Sequence, residues 1–141
     1  MADDASRLQE TKKMAEAGDA RAQFNLGVMH LAGSHGCRRS IPDALQFFSE
    51  ASKQGHGLAL SNLGNMHDQG LGVLASADEA KQLWTKAAKQ GVPQAQFNLG
   101  LYAETGRGGA VDFEAAHRWY LTVFITLSWP QGMCRTSETY L

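Results

Sequence analysis

The chain has 141 residues, with 13 lysines and arginines against 14 aspartates and glutamates, so its formal net charge is −1. A chain this close to neutrality lacks the broad basic surface that binds nucleic acids or acidic membranes, and no nucleic-acid partner is expected. Residues Met1 to Ala5 are acidic and polar rather than basic and then apolar. No secretory signal is therefore expected, and a cytoplasmic location is predicted.

The same residue pattern occurs three times along the chain. Leu63-Gly64 recurs as Leu26-Gly27 and as Leu99-Gly100, at shifts of 37 and 36 positions. The same shifts relate Gly18, Gly55 and Gly91, Ala22, Ala59 and Ala95, Asn25, Asn62 and Asn98, and Gly33, Gly70 and Gly106. So many matches at one period predict a tandem array of structural repeats.

The first helix predicted along the chain precedes the first full repeat. Its apolar pattern partly matches the second helix of a unit, with Leu8 in the position that Leu45 has later. Thr11, however, stands where the later units have a large aromatic residue. We interpret residues 1–18 as a half-repeat whose helix caps the array.

Each full unit predicts two helices. The units span residues 19–55, 56–91 and 92–124. In both helices of a unit, apolar and small residues follow three- and four-residue steps, which places them on one stripe of the helix. The units therefore predict three helix pairs in succession.

The ends of these helices carry their own signals. Ser40 and Ser76 each place a hydroxyl where it caps a first helical turn, and Asp112 occupies the same position in the third unit. Gly55 and Gly91 stand where a helix C-terminus favours a left-handed residue.

The connection between the two helices of the first unit, residues 33–40, is irregular. His30, His35 and Cys37 lie close together in the sequence here, and imidazole and thiolate both suit zinc. Neither a Cys-x-x-Cys nor a His-Glu-x-x-His pattern is present, and no fourth ligand is evident. An ordinary surface loop is the preferred interpretation, and no metal or other cofactor is predicted.

The connection in the third unit reads Gly106-Arg107-Gly108-Gly109, which has the glycine content of a phosphate-binding loop. It has neither the preceding strand nor the lysine of such loops. A turn between two repeat helices is the better interpretation.

Three glycines, Gly27, Gly64 and Gly100, fall inside predicted helices, where glycine costs about 1 kcal/mol relative to alanine. Their presence predicts a close approach between the two helices of each unit. The large aromatic residue of each second helix, such as Trp84, is predicted to fill the core beside them.

The third unit departs from the pattern after Tyr120. In place of a lysine, paired small residues and a glycine, the chain reads Leu121-Thr122-Val123-Phe124-Ile125-Thr126-Leu127-Ser128-Trp129. This apolar run is too short to span a bilayer, so no membrane insertion is predicted. Because a solenoid usually ends in a polar cap, we expect the run either to self-associate or to pack on the last helix pair. Residues 125–141 are predicted to form a C-terminal tail, poorly ordered from Pro130.

The motifs of these units resemble those of SEL-1-like repeats, which are relatives of the tetratricopeptide repeat. The resemblance is carried by Gln23-Phe24-Asn25-Leu26-Gly27, Gln96-Phe97-Asn98-Leu99-Gly100, Gly70-Leu71-Gly72-Val73, Asp78-Glu79-Ala80 and Trp84-Thr85-Lys86-Ala87-Ala88. It covers residues 18–120 and implies an all-α fold, a right-handed α-α superhelix of about three helix pairs preceded by a capping helix. Proteins of this family hold other proteins together, so a protein or peptide partner is implied.

The preferred function is a non-catalytic scaffold or adaptor that binds a partner peptide or domain on the concave face of the solenoid. Serine, histidine and aspartate occur at repeat positions that capping and packing explain, and no nucleophile has a base at a recognisable spacing. No enzymatic activity is therefore predicted. The alternative is an accessory or regulatory subunit with small-ligand binding or hydrolytic activity.

The candidate partner-binding residues lie on the first helix of each unit, which the resemblance places on the concave surface. Asn25, Asn62 and Asn98 recur there, and a carboxamide suits bonding to the backbone of an extended peptide. Their predicted neighbours on the same face are Met29, Met66, Tyr102, Gln23, Leu60 and Gln96. The alternative, which stays open, is that each asparagine bonds to the backbone of the adjacent helix and fixes the stacking of the units.

Overall fold

A computed structural model describes residues 4–128. In this range the chain forms seven α-helices and no strand, which confirms the predicted all-α fold. The helices are α1 (Asp4–Glu16), α2 (Ala20–Ala32), α3 (Ile41–Lys53), α4 (Gly57–Gln69), α5 (Ala77–Lys89), α6 (Pro93–Thr105) and α7 (Phe113–Ser128). The predicted disorder of the tail from Pro130 falls outside the described residues.

The helices pack as successive pairs. Helix α2 packs against α3, α4 against α5, and α6 against α7, while α3 stacks on α4 and α5 on α6. Helix α1 packs against α2, ahead of the first pair. The core is accordingly divided into clusters between neighbouring helices, as expected for a solenoid.

Local chemistry sets the helix ends as the sequence predicts. The side chains of Ser40, Ser76 and Asp112 each accept a hydrogen bond from the backbone amide three residues later, at 3.3, 3.2 and 3.0 Å. Gly55 and Gly91 have φ angles of 79° and 85°, the left-handed conformation expected after a helix.

The two helices of each unit approach closely at a glycine that faces an aromatic ring. A Cβ atom placed on Gly64 would lie 2.6 Å from the indole of Trp84. A Cβ placed on Gly27 or Gly100 would lie at the same distance from the ring of Phe48 or Tyr120. Trp84 is only 2% exposed. The predicted close approach at these glycines is confirmed, because no side chain fits there without displacing a ring.

The second unit compensates for one missing aromatic residue. Phe24 and Phe97 occupy equivalent positions in the first and third units, whereas the second unit has the buried Ser61. The indole of Trp84 donates to the Ser61 carbonyl at 3.1 Å and to Asn65 Oδ1 at 3.2 Å. A larger ring on α5 thus accompanies a smaller residue on α4.

Glutamine side chains fasten consecutive units to one another. Gln54 Nε2 donates to the Gly18 carbonyl at 3.0 Å, and Gln90 Nε2 donates to the Gly55 carbonyl at 2.6 Å. Both carbonyls lie at a turn between units, where the backbone has no helical partner. The stacking of the units therefore has a polar contribution that repeats along the array.

Helix α7 is longer than its counterparts. It has 16 residues, whereas α3 and α5 have 13, because Leu127 replaces the glycine that ends the equivalent stretch of the earlier units. Leu121, Phe124 and Leu127 are 47%, 68% and 69% exposed. Residues 125–128 are thus helical, whereas the sequence predicted a tail from 125. Self-association through this run stays a prediction.

Within residues 4–128, no helix is long and apolar enough to cross a membrane.

Candidate functional site

The candidate site is the accessible stripe of the first helix of each unit, which we call the first-helix face. Residues at i, i+4, i+7 and i+11 share one side of an α-helix, and at these positions all side chains are exposed or half-buried. The face consists of Arg21, Asn25, Val28 and Ala32 on α2, Leu58, Asn62, Asn65 and Gln69 on α4, and Gln94, Asn98, Leu101 and Thr105 on α6.

The three recurring asparagines lie on this face but differ in their contacts. Asn98 Nδ2 donates to Asn65 Oδ1 at 3.2 Å, which links the third unit to the second. The side chains of Asn25 and Asn62 form no hydrogen bond with any other residue in the range 4–128. Asn98 therefore has a structural role in stacking, although its partner is a side chain rather than the predicted backbone group. The carboxamides of Asn25 and Asn62 stay available to a ligand.

Most of the predicted neighbours of the asparagines are not on the face. Five are buried, with exposures of 6% or less, and so belong to the packing between helices: Gln23, Leu60, Met66, Gln96 and Tyr102. A residue two positions before an asparagine lies on the far side of the helix. A residue four positions after it is rotated by only about 40°, and in α4 and α6 that rotation places Met66 and Tyr102 at the edge where the neighbouring helices cover them. Met29 is half-buried and packs against the cluster around Leu26.

The buried glutamines have a definite structural role. Gln23 Nε2 donates to the Ala15 carbonyl at 3.3 Å, and Gln96 Nε2 donates to the Ala88 carbonyl at 3.2 Å. Each carbonyl lies near the end of the preceding helix and also accepts from a backbone amide of the following turn, so the glutamine is its second donor. Leu60, at the equivalent position of the second unit, packs in the core instead.

The sequence interpretation missed the residues that share the first-helix face with the asparagines. These lie three positions after or four positions before an asparagine. Leu58, Val28 and Leu101 are 50%, 38% and 38% exposed. A signal for them exists in the sequence, because residue type changes between units at these positions, whereas the core positions of Ala59, Leu63 and Gly64 keep the same residue in all three units.

A polar cluster joins the second and third units beside this face. Tyr102 donates its hydroxyl proton to Asp68 at 2.5 Å, and the Arg107 guanidinium pairs with the same carboxylate at 3.1 Å. Burial and then the bond to Asp68 raise the pKa of Tyr102. Similarly, the bond to Glu104 raises the pKa of Tyr120 to about 12. Both phenols therefore act as proton donors at neutral pH.

The residues considered as zinc ligands have other partners. His30 Nδ1 lies 3.2 Å from the Arg38 carbonyl, and His35 Nδ1 lies 3.0 Å from Ser34 Oγ. Cys37 is buried. Among residues 4–128, no group of three or more potential ligands gathers into a metal-binding arrangement.

The helix that carries Asn62 begins at an unusual cap. Its N-cap is His56, where the first unit has Asp19 and the third has Val92. His56 Nδ1 accepts a hydrogen bond from the Ala59 amide at 3.3 Å, which requires that this nitrogen carry no proton. Burial lowers the pKa of His56, and the charge of Arg21 lowers it further while Asp19 opposes the shift.

We expect this cap to make the stability of the array pH-dependent. Because the folded-state pKa of His56 lies below its ordinary value of 6.5, the contribution of the cap is complete above pH 6.5 and is lost as the pH falls through the folded-state pKa. The expected loss is about 1 kcal/mol, the typical worth of an N-cap.

Urea unfolding at pH 7.5 and 5.5 measures this effect. The matched control is His56→Asp, which installs the cap type of Asp19 and does not titrate in this range. An equal loss of stability in both proteins would show that other groups cause the pH dependence.

The sequence repeats are those of a known family. The profile of the Sel1 repeat matches residues 20–56, 57–92 and 93–122. The chain belongs to the Sel1 repeat family. No curated protein sequence matches it.

Solved structures of Sel1 repeat proteins are similar to this chain. One is the c5321 protein, a protective antigen present in uropathogenic Escherichia coli strains and displaying an SLR fold. It is 33% identical to this chain with a TM-score of 0.79, and the match covers 83% of this chain and 25% of the antigen. The chain thus spans a quarter of the antigen's length. A Sel1 repeat protein from Oxalobacter formigenes is 28% identical with a TM-score of 0.77, covering 82% of this chain and 88% of the other.

The Helicobacter pylori cysteine rich protein B is a further neighbour in fold. It has a TM-score of 0.67 and 20% identity, with 86% of this chain and 92% of the other covered. At 20% identity the similarity shows the fold alone, and that fold agrees with the solenoid of helix pairs described above.

Proposed function

We propose that this Sel1 repeat chain is a non-catalytic protein-interaction module that binds an extended peptide along the first-helix face. Sel1 repeat proteins generally mediate protein–protein interaction. The observation that carries the proposal is the accessible, unpartnered state of the Asn25 and Asn62 carboxamides, with the exposed apolar side chains of Val28, Leu58 and Leu101 beside them.

The chemistry of the face suits the backbone of a peptide. A carboxamide offers two donors and an acceptor, so it bonds to the amide and carbonyl groups of an extended chain whatever its sequence. The apolar residues between the asparagines then select side chains. Arg21 is the one charged residue among the twelve that define the face, which favours an uncharged segment of the partner.

The polar residues that suggest chemistry elsewhere are used structurally in this chain. Ser40 and Ser76 cap helices, as does His56. Asp68 is held between a tyrosine hydroxyl and an arginine. These roles support a function by binding rather than by catalysis.

Replacing Asn62 by alanine is expected to weaken peptide binding by roughly 5- to 30-fold, which corresponds to about 1–2 kcal/mol for one polar contact. The melting temperature should not fall, because Asn62 has no partner in the described fold and alanine is the better helix former. The probe is a peptide selected on the wild-type chain from a random display library, with affinity measured by fluorescence anisotropy.

The matched control is Gln82→Ala, the same kind of truncation at an exposed position of α5. It should leave the affinity unchanged. If Asn62→Ala melts early and its folded fraction binds the peptide normally, the residue is structural and the first-helix face is not the binding surface.

A further inference from the structure

A cavity of about 380 Å³ lies between α5, α6, α7 and the loop that connects α6 to α7. We call it the loop pocket. It is lined by Lys81 of α5, Leu99 and Tyr102 of α6, Arg107 of the loop and Trp119 of α7. Its volume falls within the range of pockets that hold small ligands or single side chains. It does not include any residue of the first-helix face.

The loop pocket exists because the third unit replaces an apolar contact that the other units share. Leu8 lies under the loop of the first unit, 3.9 Å from where a Cβ on Gly36 would be, and Leu45 lies in the same place in the second unit. The equivalent residue under the loop of the third unit is Lys81 of α5, whose Cδ lies 3.5 Å from the Cβ position of Gly108. A charged head thus takes the place of a leucine.

Two further replacements open the space. Under the loop of the second unit, Leu71 of that loop and Ile41 of the preceding α3 pack against the buried cluster. Their equivalents at the loop of the third unit are Arg107 of that loop, which turns toward Asp68 at 3.1 Å, and the small residue Ala77 of the preceding α5. The apolar filling of the second unit is therefore replaced by a cavity with two cationic residues in its wall.

Two of the residues that line the pocket carry donors without strong partners. Lys81 forms no ion pair with any residue between 4 and 128, and its ammonium has only a long bond of 3.4 Å to the Gly108 carbonyl. The indole N–H of Trp119 has no hydrogen-bond partner in the same range. Arg107, by contrast, is held by Asp68. A ligand that carries both an anionic group and methylene groups would bind most strongly here, because the anion pairs with the ammonium and the methylene groups pack on the apolar wall.

We propose that the loop pocket binds the carboxylate of an acidic side chain in a peptide ligand. Lys81 supplies the counter-charge, Trp119 supplies a further donor, and the exposed Val111 packs against the ligand's methylene groups. A carboxylate is favoured over a phosphate because the carboxylates of Asp112, in the pocket wall, and Asp68, beside Arg107, would repel a dianion more strongly than a monoanion. This site is independent of the first-helix face and adds a second, charge-dependent contact.

The test is a titration of the ¹⁵N-labelled chain, followed by the amide signals of Gly108 and Gly109 and the indole signal of Trp119. The probe is N-acetylglutamic acid α-amide, and its neutral isostere N-acetylglutamine α-amide is the control ligand. Saturable shifts of these signals are expected with the glutamate probe alone. Binding should weaken at least roughly tenfold in Lys81→Leu, because the variant removes the counter-charge and installs the leucine that lies under the other two loops.

Two further variants keep the outcome unambiguous. Lys81→Gln removes the charge while retaining a polar stem and should bind as weakly as Lys81→Leu. Lys86→Leu removes an exposed lysine from the same helix and should bind like the wild type. Asn62→Ala should also bind the glutamate probe normally, which separates this site from the first-helix face.

Three results with the glutamate and glutamine probes would overturn the proposal. These are the absence of a saturable shift at the pocket signals, equal shifts with the glutamine isostere, and unchanged affinity in both Lys81 variants. Tighter binding of inorganic phosphate than of the glutamate probe would also overturn it, by assigning the pocket to a different anion.

Discussion

Replacing Trp84 by alanine is expected to lower the free energy of unfolding by about 3–5 kcal/mol, the usual cost of removing a fully buried aromatic side chain. The indole is 2% exposed and lies against Gly64 within its own unit. Its ring also makes an edge-on contact with Tyr102 of the next unit, at 4.9 Å between centroids. The variant therefore loses contacts within a unit and between units.

Urea unfolding followed by circular dichroism measures this loss. The control is Phe113→Ala, because Phe113 is 70% exposed and its removal should change stability by less than about 0.5 kcal/mol. Trp84→Phe keeps an aromatic ring but loses the indole bonds to Ser61 and Asn65, so its stability should lie between those of the wild type and the alanine variant. A Trp84→Ala protein as stable as the Phe113→Ala control would disprove the packing described here.

The second large effect is expected for Gly64→Val. A Cβ at this position would lie 2.6 Å from the Trp84 ring, so the side chain forces the two helices of the unit apart. Overpacking of this kind costs about 1–3 kcal/mol, and the β-branch adds a small helix penalty. Gly64→Ala is the more informative variant, because helix propensity alone would make it more stable than the wild type by about 1 kcal/mol. A loss of stability in the alanine variant therefore identifies the steric clash.

A double-mutant cycle locates that clash. In the Trp84→Ala background the space beside Gly64 is empty, so Gly64→Val should cost little or should partly refill the cavity. If the valine costs the same in both backgrounds, the glycine is required for another reason, and the pairing of this glycine with the indole is not the source of the close approach.

The two proposed sites make different demands on a partner. The first-helix face is nearly uncharged and offers carboxamides with apolar side chains between them, so binding there should depend weakly on salt. The loop pocket relies on the exposed ammonium of Lys81, so binding there should weaken as salt is added. A peptide that occupies both would show additive losses in Asn62→Ala and Lys81→Leu, since separate sites contribute independently.

Much of the fold could be derived from the sequence because the information is local or periodic. The caps at Ser40 and Ser76 depend on one side chain and an amide three residues away. The left-handed turns at Gly55 and Gly91 depend on the conformational freedom of glycine itself. The 36-residue period, seen in the shift from Leu63-Gly64 to Leu99-Gly100, then predicts that each local pattern is one unit of a stacked array.

The sequence also determined part of the candidate site, since the recurrence of Asn25 and Asn62 on first helices predicted an accessible row. It did not determine which other residues share that row. Met66 and Asn65 are adjacent in the chain, yet Met66 is 1% exposed and Asn65 lies on the face. Which of them reaches solvent depends on where the neighbouring units sit around α4, and helical periodicity alone leaves that rotation undefined.

The loop pocket was decided by the tertiary structure. The sequence around Gly106-Arg107-Gly108-Gly109 shows no lysine, and the lysine beside this loop comes from α5, with Lys81 Nζ 3.4 Å from the Gly108 carbonyl. Likewise the anion that holds Arg107 is Asp68, from the preceding unit. Residues this far apart in the chain meet because the units stack, and the energy of such contacts depends on the distance and burial that stacking creates rather than on local sequence.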